Sequence, residues 1–297
     1  MATSPECEQL GYATHGQIRY LDRLDLYETE KPYEVTFLPV NVDQPGARRT
    51  NLKFKSYPVV LRDFSTRRDA FSTDIQGFEL DTFPTSLLPS QLKDLATVEE
   101  LYHPEAVAFL EQKYGATKVF IFDTTIRSAQ KPERDASALL RNQQILGLAT
   151  DCHVDQSPGS VRRRVQHSLP DEAQTLLKQR VRVINIWRPL VQPYHSNPLA
   201  MCDWRSTVPQ DYTLSDHKTP VWEGESLQVY QNPDHRWWFA RDMKEEDVIL
   251  IKMFDSEAAK PDGQVAMCTP HCSFDWKDAP ESTRPRESME IRAIVFS

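Results

Sequence analysis

His153-Val154-Asp155, followed far downstream by Thr269-Pro270-His271-Cys272 and then by Arg286-Glu287-Ser288, is the stretch from which this chain is best read. In an extended strand, residues two apart point to the same side, so His153 and Asp155 can grip one ion. A His-x-Asp pair with a later lone histidine is the ligand order of the two-histidine, one-carboxylate site that holds non-haem Fe(II). His271 is the candidate third ligand, brought from elsewhere in the sheet. Three such ligands occupy one face of an octahedral iron and leave the other positions for a bidentate oxo-acid and dioxygen. Arg286 and Ser288 suit the far carboxylate of 2-oxoglutarate, because arginine offers a planar fork of donors and serine one more hydrogen bond.

The final strand candidate, Arg286 to Phe296, alternates. Arg286, Ser288, Glu290 and Arg292 share one face; Met289, Ile291, Ala293 and Val295 share the other. Polar side chains facing a β interior are costly unless paired, and a dianionic co-substrate would account for Arg286 and Ser288. An edge strand with its charged face in water is the alternative. Asn185 and Trp187 also point one way along Val181 to Trp187. An inward Asn185 is a candidate donor to the near end of the oxo-acid, or else an ordinary buried amide bonded to backbone.

Composition narrows the partners. Among 297 residues, 39% are hydrophobic and 10% aromatic, a globular balance rather than a disordered one. Net charge is −8 and the basic residues form no stripe, which argues against nucleic acid. The dense run Arg162-Arg163-Arg164 reads as a solvated loop or part of a pocket rim. No stretch approaches a membrane span, and the first residues have neither the basic start nor the apolar run of a signal peptide. Five scattered cysteines (Cys7, Cys152, Cys202, Cys268 and Cys272) then read as reduced thiols in a cytoplasmic protein. Cys268 and Cys272 lack the second ligand pair that a structural zinc site needs.

Twenty-one prolines against nine glycines cut the chain into short segments. Strands are expected at Lys53 to Leu61, Lys118 to Asp123, Cys152 to Asp155, Val181 to Trp187, Leu227 to Gln231, Arg236 to Arg241, Asp247 to Phe254 and Met289 to Phe296. Helices are expected from a Thr97/Glu100 capping box, from His103 to Tyr114 with Gly115 as the stop, and from Leu169 to Gln179. The fold class is therefore mainly β with flanking α-helices, a β-sandwich or jelly roll (double-stranded β-helix). One domain over residues 1–297 is expected, helix-rich to roughly 117 and jelly roll from roughly 118. His235 heads an aromatic strand and reads as packing or pocket lining. His15, His103, His167, His195 and His217 read as surface or loop residues. Trp187, Trp237, Trp238 and Phe239 are candidates for a pocket wall or for a plain aromatic core.

The chain resembles the fungal AsaB-like hydroxylase/desaturase family, which includes a gibberellin desaturase. The resemblance rests on Gln76-Gly77-Phe78, Val119 to Arg127, His153-Val154-Asp155-Gln156, Asn185 to Leu190, Pro198 to Asp203, Ile251 to Ser256, Pro270-His271 and Arg286 to Arg292. It runs through nearly the whole chain. It implies a double-stranded β-helix, Fe(II), 2-oxoglutarate and dioxygen dependence with ascorbate as a reductant, and oxidation of a small natural product. His153, Asp155 and His271 match the metal ligands. The resemblance also implies a homodimer or a heterodimer with a paralogue, and it offers an alternative role as a non-catalytic partner subunit. The intact ligand triad favours a catalytic chain, an Fe(II)/2-oxoglutarate-dependent dioxygenase of secondary metabolism.

Overall fold

Two β-sheets pack face to face because their central strands carry apolar side chains on both faces. The computed structural model describes residues 11–35, 48–130, 145–192, 196–219, 222–280 and 284–297; Cys7 and His195 lie outside them. The strands in chain order are β1 (Ala13–Leu21), β2 (Tyr33–Val35), β3 (Phe54–Asp63), β4 (Phe78–Thr82) and β5 (Lys118–Ser128). They continue with β6 (His153–Val154), β7 (Val181–Pro189), β8 (Leu199–Cys202), β9 (Tyr212–Lys218) and β10 (Glu223–Val229). β11 (Trp237–Phe239), β12 (Asp247–Asp255), β13 (His271–Ser273) and β14 (Glu287–Phe296) complete the set. One sheet has the order β1-β3-β11-β8-β13-β6-β10-β9-β2 and the other β4-β12-β7-β14-β5.

In the five-stranded sheet, β7 and β12 are buried along their whole length, as strands covered on both faces must be. Val183, Trp187, Ile249 and Ile251 face Val154, Leu199 and Met201 of the other sheet in the inner core. On the opposite face, Ile184, Ile186, Leu250, Met289 and Ile291 lie under Ala106 and Leu110 of a helix. A third cluster, with Ile18, Tyr20, Trp237 and Phe239, backs the nine-stranded sheet. The expected alternation of the last strand is realised: Met289, Ile291, Ala293 and Val295 join the helix-side core.

The covering helix builds up in three steps, α1 (Leu95–Thr97), a π-turn over Val98–Tyr102, and α2 (His103–Tyr114). Gly115 stops it in the left-handed region at φ 58°, as expected of a C-terminal glycine. Its cap is not the Thr97/Glu100 pair; the Asp94 carboxylate accepts from the Thr97 amide and hydroxyl. The Arg162-Arg163-Arg164 run is helical rather than loop, inside α3 (Pro158–Ser168). Ser157 caps it and Pro158 occupies the first turn. The helix expected from Leu169 to Gln179 shrinks to α4 (Ala173–Leu176). The part before residue 117 holds α1, the π-turn and α2, and it also contributes β1, β2, β3 and β4, of which β1 and β3 extend the nine-stranded sheet. Among the described residues no helix is long and apolar enough to cross a membrane.

Candidate metal centre and its cavity

Cross-strand register brings the two histidines together. β6 lies between β10 and β13, and His271 stands directly opposite His153. Paired positions on antiparallel strands hold their side chains about 5 Å apart; here the two ring centroids are 4.6 Å apart. Asp155 follows β6 on the same side as His153. Its position is set by the turn that Ser157 closes, with the Ser157 amide donating to the Glu225 carbonyl at 2.8 Å. The ligand atoms of His153, Asp155 and His271 all lie within 4.8 Å of one another.

Hydrogen bonding decides which atom each residue offers. His153 donates from Nδ1 to the Asp151 carbonyl at 2.7 Å, and His271 from Nδ1 to the Thr269 carbonyl at 3.1 Å. A carbonyl only accepts, so each ring carries its proton on Nδ1 and turns Nε2 to the centre. Asp155 Oδ2 accepts from Arg292 Nε at 2.8 Å and Asn185 Nδ2 at 2.7 Å. Oδ1 is left facing His153 Nε2 at 3.3 Å. Two imidazole nitrogens and one carboxylate oxygen, each oriented by an outer partner, form a donor set that fits a divalent iron.

The electrostatics agree. Burial alone would raise Asp155, but the Arg292 guanidinium reverses this and holds its carboxyl well below the usual carboxylate range. Burial and the neighbouring His153 charge lower the His271 imidazole, keeping it neutral and able to ligate. Burial also works to lower His153, yet the Asp155 carboxylate overrides it and the net shift is upward. A divalent cation would take over that attraction and displace the proton.

Arg292 is the hub of this support. Its guanidinium reaches Asp155, Asp123, Thr125 and Glu290, and Glu290 accepts from Asn185 Nδ2 at 2.7 Å. Neither Arg292 nor Glu290 is identified as a site residue by the spacing of the motifs. The only signal for them was their place on the polar face of the last strand. Asn185 does not present its amide to an oxo-acid, as the sequence suggests. Both of its amide hydrogens are spent on Asp155 and Glu290, so it orients the carboxylate instead.

A cavity adjoins the triad, lined in part by His153, His271, Trp187, Arg286, Glu290 and Arg127. Arg286 is 1% exposed and donates from Nη1 to the Asn197 carbonyl and the Ser273 hydroxyl, with the Trp187 ring 5.5 Å away. Ser288 is buried between Arg286 and Glu290 on the same strand face. Of the four aromatic candidates, Trp187 alone lines the cavity; Trp237, Trp238 and Phe239 are core. His235 is packing, held between Tyr20 Oη and Asp211 at 3.0 Å each. Cys268 and Cys272 are buried thiols outside the ligand cluster.

One glycine carries the second histidine. Gly77 sits at φ +96°, and an added Cβ would stand 2.4 Å from Thr269 Oγ1. Thr269 donates to the Gly77 carbonyl at 2.6 Å and supplies the carbonyl that fixes His271. Gly77→Ala is therefore expected to cost about 1–3 kcal/mol of stability and to weaken metal binding by displacing His271. Urea denaturation and metal titration of the variant check both parts.

Similarity to known proteins extends through nearly the whole chain. Residues 18–296 match the domain family described as oxidoreductase/YMDC permease-like. The hydroxylase/desaturase efuI of Hormonema carpetanum is 32% identical over 268 residues, covering 83% of this chain and 86% of that protein. The Fe(II)/2-oxoglutarate-dependent dioxygenase nvfI of Aspergillus novofumigatus is 27% identical over 268 residues, covering 85% and 88%. A solved structure of the iron and alpha-ketoglutarate-dependent endoperoxidase NvfI superposes with a TM-score of 0.81 at 23% identity, over 97% of this chain and 99% of that one. The jelly-roll fold is shared.

Proposed function

The chain belongs to the fungal hydroxylase/desaturase family, and from that premise we propose that it is an Fe(II)/2-oxoglutarate-dependent dioxygenase that oxidises a small secondary metabolite. One observation carries the reading: each histidine spends Nδ1 on a backbone carbonyl and Asp155 spends Oδ2 on Arg292 and Asn185, leaving three donor atoms aimed at one point. His153 and His271 would hold the metal through Nε2, and Asp155 through Oδ1. Bound iron, with 2-oxoglutarate and dioxygen, supplies an oxidant able to attack an unactivated C–H bond, and hydroxylation or desaturation are its outcomes.

The protein's own part is placement. Arg286, with Ser288 beside it, receives the far carboxylate of the oxo-acid through charge-assisted hydrogen bonds. Trp187 and Leu199 supply apolar wall that keeps water from the reacting centre. The Asn185–Glu290–Arg292 network keeps Asp155 ionised and correctly turned before the metal arrives. A complete, outer-braced donor set favours a catalytic chain over a non-catalytic partner subunit.

Arg286→Ala is expected to weaken 2-oxoglutarate binding about 10- to 100-fold, the loss of a charge-assisted bond worth about 1.5–3 kcal/mol. Iron affinity should be unchanged. Anaerobic titration, read by the visible charge-transfer absorption of the ferrous 2-oxoglutarate complex, measures both. Failure of the wild-type protein to make succinate with iron, ascorbate, 2-oxoglutarate and a fungal metabolite extract would remove the reading.

A further inference from the structure

β5 runs beside β14, with Asp123, Thr125 and Arg127 opposite Arg292, Glu290 and Ser288. Asp123 and Thr125 are absorbed by Arg292, which bonds both side chains. Arg127 is not. Its guanidinium lines the cavity with His153, Arg286 and Glu290, and Nη1 donates to the Gly147 carbonyl at 2.8 Å. Among the described residues it takes part in no ion pair, because the nearby carboxylates of Asp123, Asp155 and Glu290 are all engaged by Arg292. Burial, followed by the charge of Arg292, pushes the Arg127 guanidinium down from its ordinary value. A cation held at a cost in that position gains from an anion that joins it.

Three arginines thus face one cavity, with different duties. Arg292 is matched by three protein carboxylates. Arg286 lies deep, 1% exposed, and is assigned the far carboxylate of the oxo-acid; the near carboxylate of that acid would go to the metal. Arg127 keeps partial exposure and stands on the edge strand of its sheet, next to the 145–149 segment. Arg127 is thus the more accessible of the two, and Arg286 the more deeply buried. Neither the described protein nor the far end of the co-substrate provides its counter-ion. We infer that Arg127 receives a carboxylate of the organic substrate, so that the metabolite oxidised is an acid and is oriented over the metal by that ion pair. The inference rests on the cavity's being an oxygenase site. It adds the substrate class and the residue that selects it.

The test loads the full chain anaerobically with Fe(II) and 2-oxoglutarate. The charge-transfer band reports co-substrate binding, and it shifts when an organic molecule settles beside the metal. The loaded protein is titrated with a panel of aromatic and terpenoid carboxylic acids, cinnamic and abietic acid among them, and in parallel with their methyl esters. In the wild type, at least one acid should bind about tenfold or more tighter than its ester, the range of a charge-assisted bond. Arg127→Gln, which can still donate to Gly147, should weaken that acid about 10- to 100-fold and leave the ester and 2-oxoglutarate unchanged. Arg127→Lys should fall between, since it keeps the charge but loses the fork.

Equal binding of acids and esters by the wild type would overturn the inference. So would a loss of 2-oxoglutarate binding in Arg127→Gln comparable with that in Arg286→Ala, which would make Arg127 a co-substrate residue. If Arg127→Gln does not fold by circular dichroism, the Lys variant carries the same comparison. Absence of any charge-transfer band in the wild type is a different failure, and it would remove the oxygenase reading itself.

Discussion

His153→Ala and Asp155→Ala are each expected to abolish substrate-dependent succinate formation while leaving the β-sheets intact. Each removes one of three donors that no neighbouring side chain replaces: among the described residues the three form the one metal-competent cluster of His, Cys, Asp and Glu. Loss of an outer partner alone costs about 10- to 100-fold in metal affinity, so loss of a donor should exceed about 100-fold. Inductively coupled plasma analysis of anaerobically loaded protein measures the metal, and succinate release measures turnover. The structural cost should be small, because β6 is only two residues long and its neighbours β10 and β13 pair elsewhere as well. Turnover by His153→Ala at the wild-type rate would show that the triad is not the working site.

Arg292→Met is expected to destabilise the metal-free protein by about 3–5 kcal/mol, the usual cost of stripping the partner from buried charges. Asp155 and Glu290 would be left facing each other across Asn185, with side chains 10% and 8% exposed. The signature that separates this from ordinary cavity formation is rescue. Arg292 differs from a neutral outer partner in that its loss also takes a positive charge from beside the metal; this outweighs the looser hold on Asp155, so Fe(II) or Mn(II) should recover more stability in Arg292→Met than it adds to the wild type. Urea denaturation with and without metal gives the four numbers of that cycle. A variant as stable as wild type without metal would mean that the acids protonate at little cost and that Arg292 is not what keeps Asp155 ionised.

Much of the β framework is legible in the chain because its central strands are continuous apolar runs. Val181 to Trp187 and Asp247 to Phe254 read as strands and are strands, each extended by a residue or two at the C-terminal end. β1 is less legible for a physical reason. Its buried positions alternate cleanly, but Thr14 and Gly16 are among them, so the period of two carries little hydrophobic contrast. α3 is obscured by three consecutive arginines, although its Ser157-Pro158 start is a sound N-terminal signal. The Leu169 to Gln179 expectation failed because an acidic start favours a helix end without supplying an apolar face long enough to hold one.

By itself, the sequence determined which atoms could ligate. Strand periodicity puts His153 and Asp155 on one side, and the order of the later histidine and arginine names their partners. Only the tertiary structure decided how those atoms are aimed. The register of β13 on β6 sets the histidines face to face, and the alignment of β14 with β7 and β5 brings Arg292 and Asn185 onto Asp155 and leaves Arg127 at the cavity. The reason is that a strand's alternation is local, whereas the counter-charge of a buried carboxylate comes from whichever strand the sheet lays beside it.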